Sequence, residues 1–334
     1  MSRIVIIGSG VVGSATGKGF ARAGHDVTFV DIEEGRLDAL RAEGHRAADH
    51  IDLSGPPAFV FLTLPTPNVG SAYDLSAFTA GTAAVGAALR HADAFHTVVV
   101  RSTVPPGTCQ GLVRRTLESA SGCRVGEGFA LASNPEFLRA ASAVEDFHSP
   151  WMTVVASQSQ RTVQRLVALL RPFGGEIRTF SNPAEAELVK CAHNIYNATK
   201  ISFWNEMWRV SQLLHLDADG VASTVARSAE GSTNPDYGIR GGAPYGGVCL
   251  PKDTKGFLGF SADAGIDMPL LAAVVEVNDR MGRMVEAELT LAELELADHE
   301  PEPEPGAGPG AGTTIDLDRE GGRANGSSPL PSPR

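Results

Sequence analysis

Arg3-Ile4-Val5-Ile6-Ile7-Gly8-Ser9-Gly10-Val11-Val12-Gly13 is the stretch that decides the fold. A short apolar run of strand character leads directly into a GxGxxG pattern, and amphipathic helical spacing follows over 12–23. In the order strand, turn, helix, each glycine has a task. Gly8 permits the tight turn, Gly10 lets a pyrophosphate approach the backbone, and Gly13 lets the helix pack on the strand. The start of the helix, Val12 included, offers free N–H groups to phosphate oxygens. Alone the pattern is weak, because glycine turns also serve purely structural ends. Asp31 strengthens it. It closes the next strand-like run about 20 residues on, where a carboxylate binds a ribose 2′-hydroxyl and repels a 2′-phosphate. A dinucleotide site preferring NAD to NADP follows.

The same alternation continues along the chain. Strand-like runs at 3–8, 26–31, 58–64, 97–101 and 129–133 are separated by helical patterns at 12–23, 35–43, 75–89 and 108–119. A further strand–helix–strand unit lies near 153–156, 160–171 and 176–180. This order predicts an α/β fold, a Rossmann-type doubly wound parallel sheet with helices on both faces. After Pro183 the spacing stays helical to about Leu216 without glycine or a second proline. A helix of that length links two domains or forms a dimer core. Another helix is expected over 217–229 with Asp217 as its cap, then a Gly/Pro/Asn-rich loop over 230–249. Pro251 suits the opening of the next helix, and 268–296 reads as a last helix with room for one break. After Ala297 the composition changes to Glu300-Pro301-Glu302-Pro303-Glu304-Pro305 and then to Gly, Ala, Ser and Pro, which predicts a disordered tail. The expected organisation is an NAD-binding domain over 1–182, a helical central domain over 183–297 and the tail over 298–334.

Bulk properties narrow the function classes. A chain of 334 residues, 43% hydrophobic and 20% charged, has ordinary globular composition and length for two cores. The formal charge of −11 argues against a nucleic-acid footprint, which needs a basic face. Apolar stretches are broken well before the roughly 18 residues of a membrane span. The N-terminus lacks the three-part spacing of a signal peptide, so the cytoplasm is the expected location. Cys109, Cys123, Cys191 and Cys249 form no CxxC pair and no ligand-like spacing with the nine histidines, so neither a metal nor a disulfide framework is expected.

One segment of the second half is conspicuous: Tyr245-Gly246-Gly247-Val248-Cys249-Leu250-Pro251-Lys252-Asp253-Thr254. A cysteine just ahead of a proline-started helix sits at the positive end of the helix dipole, which favours the thiolate. Asp253, one turn on, can face back toward the thiol. A lone cysteine is more often inert core, but the flanking glycines argue for access.

This segment resembles the cysteine signature of the UDP-glucose/GDP-mannose dehydrogenases. Other signatures of that family stand in the same order: Gly8–Gly13, Leu64-Pro65-Thr66-Pro67 with Asp74-Leu75, and Arg101-Ser102-Thr103-Val104-Pro105-Pro106-Gly107-Thr108. They continue with Asn134-Pro135-Glu136-Phe137-Leu138-Arg139, Ala186-Glu187-Leu188-Val189-Lys190 leading to Asn194, Asn234-Pro235, and Pro269-Leu270-Leu271 with Val277-Asn278. The similarity covers residues 1 to about 281.

The resemblance implies oxidation of a primary alcohol on a nucleotide sugar to a carboxylate, with two NAD reduced per substrate. Carried onto this chain, it makes Cys249 the nucleophile that forms a thiohemiacetal and then a thioester. Glu136 becomes the general base for hydrolysis. Lys190 becomes the oxyanion stabiliser, with Asn194 four residues on along the same helix face. Asp253 and Thr103 match residues that hold the catalytic water or assist deprotonation. Pro65, Thr66 and Thr103 join Gly8, Gly10, Val12, Gly13 and Asp31 at the cofactor. Phe137, Leu138, Arg139, Lys190, Asn194, Tyr245 and Gly246 face the substrate, and Tyr237 and Arg240 offer a stacking surface and an anion contact. A homodimer is also implied.

Three departures concern the substrate end. The family carries a third, C-terminal nucleotide-binding domain where this sequence is expected to have its tail. Ala140 stands where the family has a glutamate near the sugar. Trp151-Met152 stands where an arginine commonly follows the proline near position 150. Two alternatives therefore stay open: a two-electron dehydrogenase acting on an atypical nucleotide or phosphorylated substrate, and a non-catalytic NAD-binding remnant.

Overall fold

The computed structural model describes residues 1–69, 72–228, 242–247 and 249–297. Its first half is a wound sheet with strands β1 (Arg3–Ile7), β2 (Asp26–Val30), β3 (Arg46–Ala48), β4 (Ala58–Leu62), β5 (Asn68–Val69), β6 (Ala72–Tyr73), β7 (His96–Val100), β8 (Phe129–Ser133), β9 (Met152–Ala156) and β10 (Glu176–Phe180). The helices between them are α1 (Val11–Arg22), α2 (Glu34–Ala42), α3 (Ser76–Leu89), α4 (Arg114–Ser121), α5 (Ala143–His148) and α6 (Gln160–Leu170). Eight strands form one sheet in the order β10-β9-β8-β7-β4-β1-β2-β3, while β5 and β6 pair as a separate hairpin. The order reverses beside β1, so the crevice at its carboxyl end is where such sheets bind ligands.

Alternate residues of each strand enter opposite layers of core. Val5, Ile7, Val60, Leu62, Val98 and Val100 pack with Phe78 of α3 and Leu117 of α4. Ile4, Ile6, Phe59, Phe61 and Val99 pack on the other face with Phe147 and Leu166. A strand buried on both faces reads as a continuous apolar run, which is why Arg3–Ile7 and Ala58–Leu62 show no polar alternation.

The all-parallel expectation is corrected at one step. β8 and β9 run antiparallel and meet at the single pair Ser133↔Ala156. The short α5 leaves the chain on the side where β8 ended, without the crossover that a parallel return requires. The neighbouring pairs β9–β10 and β7–β8 are parallel. The helical pattern expected at 108–119 is two elements: a π-helical turn at Cys109–Val113 and then α4.

The long helix α7 spans Pro183–Leu213, 31 residues, and opens with a capping box of Asn182 and Glu185 with Pro183 at its start. Helix α8 covers Ala218–Ser228, and the Asp217 Oδ1 atom accepts the Gly220 N–H at 3.0 Å, the cap expected there. Helix α9, Cys249–Asp263, begins two residues ahead of Pro251, and α10, Pro269–Ala297, is unbroken. By backbone proximity the chain divides into two compact units, Met1–Ala222 and a second beginning at Ser223. Among the described residues no helix is long and apolar enough to cross a membrane, and no group of three or more His, Cys, Asp and Glu side chains is placed to hold a metal. The tail expected at 298–334 lies outside the described residues.

Candidate active site

The turn after β1 has the shape its glycines require. Gly8 has φ +93°, and a Cβ there would stand 2.8 Å from the Thr63 carbonyl oxygen. A Cβ on Gly13 would stand 1.9 Å from the Gly8 carbonyl oxygen, so helix and turn approach more closely than any side chain allows. Gly10 has open space in front of it, with only an Arg36 nitrogen at 4.0 Å. No side chain caps the first turn of α1, and no acidic residue occupies it. The N–H groups around Val12 are thus unclaimed by side chains among the described residues, the condition a helix start must meet to bind an anion.

Asp31, 7% exposed, sits at the carboxyl end of β2. Its Oδ2 accepts the Ser9 N–H at 2.5 Å and its Oδ1 accepts the Glu33 N–H at 3.0 Å. Arg36 stands 3.6 Å from the same carboxylate and 2.8 Å from Glu33. The carboxylate therefore ties the glycine turn to the start of the segment that follows β2. The Thr66 hydroxyl donates to the Thr103 carbonyl at 2.7 Å, which joins the loops after β4 and β7. Pro65 is exposed beside it.

The second constellation gathers where the loop after β8 meets α7. Lys190 Nζ lies 3.1 Å from Glu136 Oε1, with both side chains nearly buried. The other Glu136 oxygen accepts the Leu138 N–H at 2.6 Å, which fixes the carboxylate against its own loop. Lys190 also sits 5.4 Å from the centre of the Phe137 ring. Below this pair, Arg101 is buried and donates to Thr16 at 2.8 Å and to Asn134 Oδ1 at 2.6 Å. Asn134 in turn donates to the Val154 carbonyl at 2.7 Å. Burial pulls the Arg101 pKa down to about 10, partly opposed by the charge of Glu136. The guanidinium remains charged at neutral pH and anchors the Asn134-Pro135-Glu136 turn. Asn194 lies four residues beyond Lys190 and is exposed. Arg139, expected at the substrate, is engaged by Asp146 through Nε at 3.1 Å and Nη2 at 2.6 Å. That contact holds the Asp146 carboxyl well below the usual carboxylate range.

Two residues escaped the sequence-based assignment. Glu187, 2% exposed, accepts the N–H of Gly107 at 2.5 Å and of Cys109 at 2.7 Å, and so pins α7 to the loop that follows Thr103. Burial raises its pKa to about 7 against the opposing pull of those N–H donors. In the second unit, Asn278 grips the strand of loop ahead of the cysteine: its Oδ1 accepts the Tyr245 N–H at 2.7 Å and its Nδ2 donates to the Tyr245 carbonyl at 3.3 Å. The Tyr245 hydroxyl lies 3.3 Å from Thr254 Oγ1. Gly247, with φ +76°, turns the chain between that anchor and Cys249. Cys249 itself is exposed at the first residue of α9. Asp253, also exposed, pairs with Lys252 at 2.7 Å, and Gly246 is exposed. These groups belong to the second unit, and the Glu136–Lys190 pair belongs to the first. Tyr237 and Arg240 lie outside the described residues.

Residues 2–51 and 56–174 match the profile of the UDP-glucose/GDP-mannose dehydrogenase family, NAD binding domain, and residues 184–280 match that of the same family's central domain. The chain belongs to the UDP-glucose/GDP-mannose dehydrogenase family. It is 34% identical to the UDP-glucose 6-dehydrogenase of Haloferax volcanii, across 82% of this chain and 69% of that one. It is 29% identical to the GDP-mannose 6-dehydrogenase of Pseudomonas aeruginosa, across 83% and 68%. A GDP-mannose dehydrogenase structure from Pseudomonas aeruginosa, described as a ternary complex, superposes with a TM-score of 0.75 at 27% identity over 84% of this chain and 69% of that one. A UDP-glucose dehydrogenase from Pyrobaculum islandicum superposes at 0.62 with 32% identity, over 89% and 72%. As a member of this dehydrogenase family the chain is an NAD-binding enzyme, and the open space at Gly10, the uncapped start of α1 and the buried Asp31 fit that cofactor.

Proposed function

We propose that this dehydrogenase oxidises the primary alcohol of a nucleotide sugar, UDP-glucose-like in kind, to the carboxylate through a covalent intermediate on Cys249. The observation that carries this reading is the nearly buried Glu136–Lys190 pair, a base and a cation 3.1 Å apart, one in each of the two stretches that match the family. NAD, held by the Gly8–Gly13 turn and Asp31, supplies the hydride acceptor for each of two oxidations.

The chain's own groups do the rest. Lys190 offers a fixed positive charge to the oxygen on which charge develops, and Asn194 adds a donor from the same helix face. After the first oxidation the Cys249 sulfur bonds to the aldehyde carbon, and the carbonyl oxygen takes the proton, giving a thiohemiacetal. Loss of a second hydride from carbon, with release of the hydroxyl proton, leaves a thioester. Glu136 then takes a proton from water as the water oxygen attacks, and the thiolate departs with the C–S electron pair. Thr103 and Asp253 orient that water or assist deprotonation. Phe137, Leu138, Arg139, Tyr245 and Gly246 line the substrate, with Tyr237 and Arg240 as additional contacts.

The same reading divides the chain into an NAD-binding domain over 1–182, a central domain over 183–297 and a tail over 298–334, working in the cytoplasm as a homodimer. Ile195, Tyr196, Ile201 and Trp208 are all more than half exposed along α7, apolar surface that suits a second copy. Light scattering tests the dimer, and a monomer at micromolar concentration contradicts it. The activity is tested by NADH formation across UDP-, GDP- and dTDP-sugars with product analysis. An acid product from one of them supports the reading; NAD binding without turnover of any of them contradicts it.

A further inference from the structure

A cavity of about 480 Å³ opens beside the Glu136–Lys190 pair, within the first unit, in the size range of small-molecule sites. Glu136, Phe137, Trp151, Met152, His193 and Asn197 are among the residues that line it. Three of them form a ring cluster. Trp151 and His193 stack with centroids 5.6 Å apart, and Phe137 meets them edge-on at 5.4 and 5.1 Å. Trp151 nevertheless keeps 57% of its surface exposed. A large aromatic side chain left open beside a buried ion pair is an unfilled contact surface.

The charged groups that line this space already have partners of their own. Glu136 binds Lys190 and the Leu138 N–H, Arg101 binds Thr16 and Asn134, and Arg139 binds Asp146. What the cavity offers to a newcomer is therefore aromatic surface and neutral hydrogen-bonding groups. His193 is kept toward its neutral form, first by burial and then by the charge of Lys190. Its Nε2 lies 3.1 Å from Asn197 Nδ2; accepting that N–H leaves the ring proton on Nδ1 as a donor for a hydroxyl.

We propose that Trp151 and His193, braced by Phe137, form the subsite for the pyranose ring of the substrate and set which hexose is accepted. This rests on the nucleotide-sugar reading above. The ring's C–H face lies on the aromatic wall, while the reacting carbon of the same sugar reaches the Glu136–Lys190 pair. Proximity supports this: Phe137 touches both, 5.4 Å from Lys190 Nζ and 5.1 Å from the imidazole. A neutral, C–H-rich ring fits an aromatic wall whose neighbouring carboxylates, Glu136 and Asp146, already have cationic partners.

Calorimetry on the full chain tests it, comparing UDP-glucose with UDP and GDP-mannose with GDP, for the unaltered protein, Trp151→Ala, His193→Ala and Trp151→Phe. The expected result is that the preference for the sugar-bearing ligand over the bare nucleotide falls by about 5- to 10-fold in each alanine variant. Trp151→Phe retains most of that preference, and affinities for UDP, GDP and NAD stay unchanged. An unaltered preference in both alanine variants overturns the proposal, as does an equal loss for bare nucleotides. An unaltered protein that binds the sugar-bearing ligands no better than the bare nucleotides overturns it as well. Turnover with an unaltered preference would overturn the subsite and leave the activity standing. A lost preference in a protein that forms no NADH would do the reverse.

Discussion

The two halves of the chemistry are built in opposite ways. At the dinucleotide turn the backbone itself is the site: Gly8 and Gly13 are held against Thr63 and against each other, and Asp31 is buried with both oxygens occupied. At Cys249, the proposed nucleophile, the thiol is exposed at the start of a helix, and the loop ahead of it is anchored by Asn278. A dinucleotide that must dock in the same place for each hydride transfer suits a preformed cradle. A nucleophile that must add to and leave a carbon suits an accessible helix start with few contacts.

The largest effect should come from removing the accessible nucleophile. Cys249→Ser should lower acid formation by at least ~10³-fold while NAD affinity stays within about 2-fold, since no group of the dinucleotide turn is touched. Chromatography of the product together with NAD titration checks both. A variant that still makes acid at the normal rate breaks the contrast between the halves.

The converse change at the rigid half is Gly13→Ala. A methyl group 1.9 Å from the Gly8 carbonyl oxygen forces helix and turn apart, so NAD affinity should fall by more than ~10-fold and stability by roughly 1–3 kcal/mol. Fluorescence titration and urea unfolding read these separately. Normal NAD binding in this variant would mean that the turn tolerates movement.

Asp31→Ser should act more gently. It removes the ribose partner but leaves Arg36 beside the position, so NAD should bind about 10-fold more weakly and NADP somewhat better than before. Parallel titrations with both cofactors check it, and an unchanged NAD-to-NADP ratio would take Asp31 out of cofactor selection.

A pH-dependent effect, outside the cofactor and cysteine sites, is expected at Glu187, which joins α7 to the loop after Thr103. Its folded pKa is raised to about 7 from an ordinary value of 4.5. The folded protein therefore holds a proton that the unfolded chain has released. Its contribution to stability is full below pH 4.5, declines as pH rises and is lost through about pH 7. The total change is on the order of 3 kcal/mol. Urea midpoints measured from pH 4 to 8 should slope downward across that window, and Glu187→Gln should flatten the slope. An equal slope in the variant would assign the effect to other groups.

Much of the first half was legible because its constraints are local. Apolar runs, the glycine spacing and Asp31 all act within a few tens of residues, and the strands fall where the runs predict them. The exceptions have physical causes. The three residues of β3 and the two-residue strands β5 and β6 are too short to show a period. The π-turn at Cys109–Val113 lies where Glu187 captures backbone N–H groups from 78 and 80 residues away. Neither that contact nor the pairing of Glu136 with Lys190 leaves any mark in spacing. The pair was reached only through the family resemblance. The aromatic wall was invisible for the same reason, since Phe137, Trp151 and His193 come from three separate segments.

The number of NADH formed per molecule of nucleotide sugar consumed tests the central claim most directly, measured to completion with limiting substrate. Oxidation through a Cys249 thioester predicts two NADH and one carboxylate. One NADH, with an aldehyde or ketone as the product, would contradict it and make Cys249 a bystander.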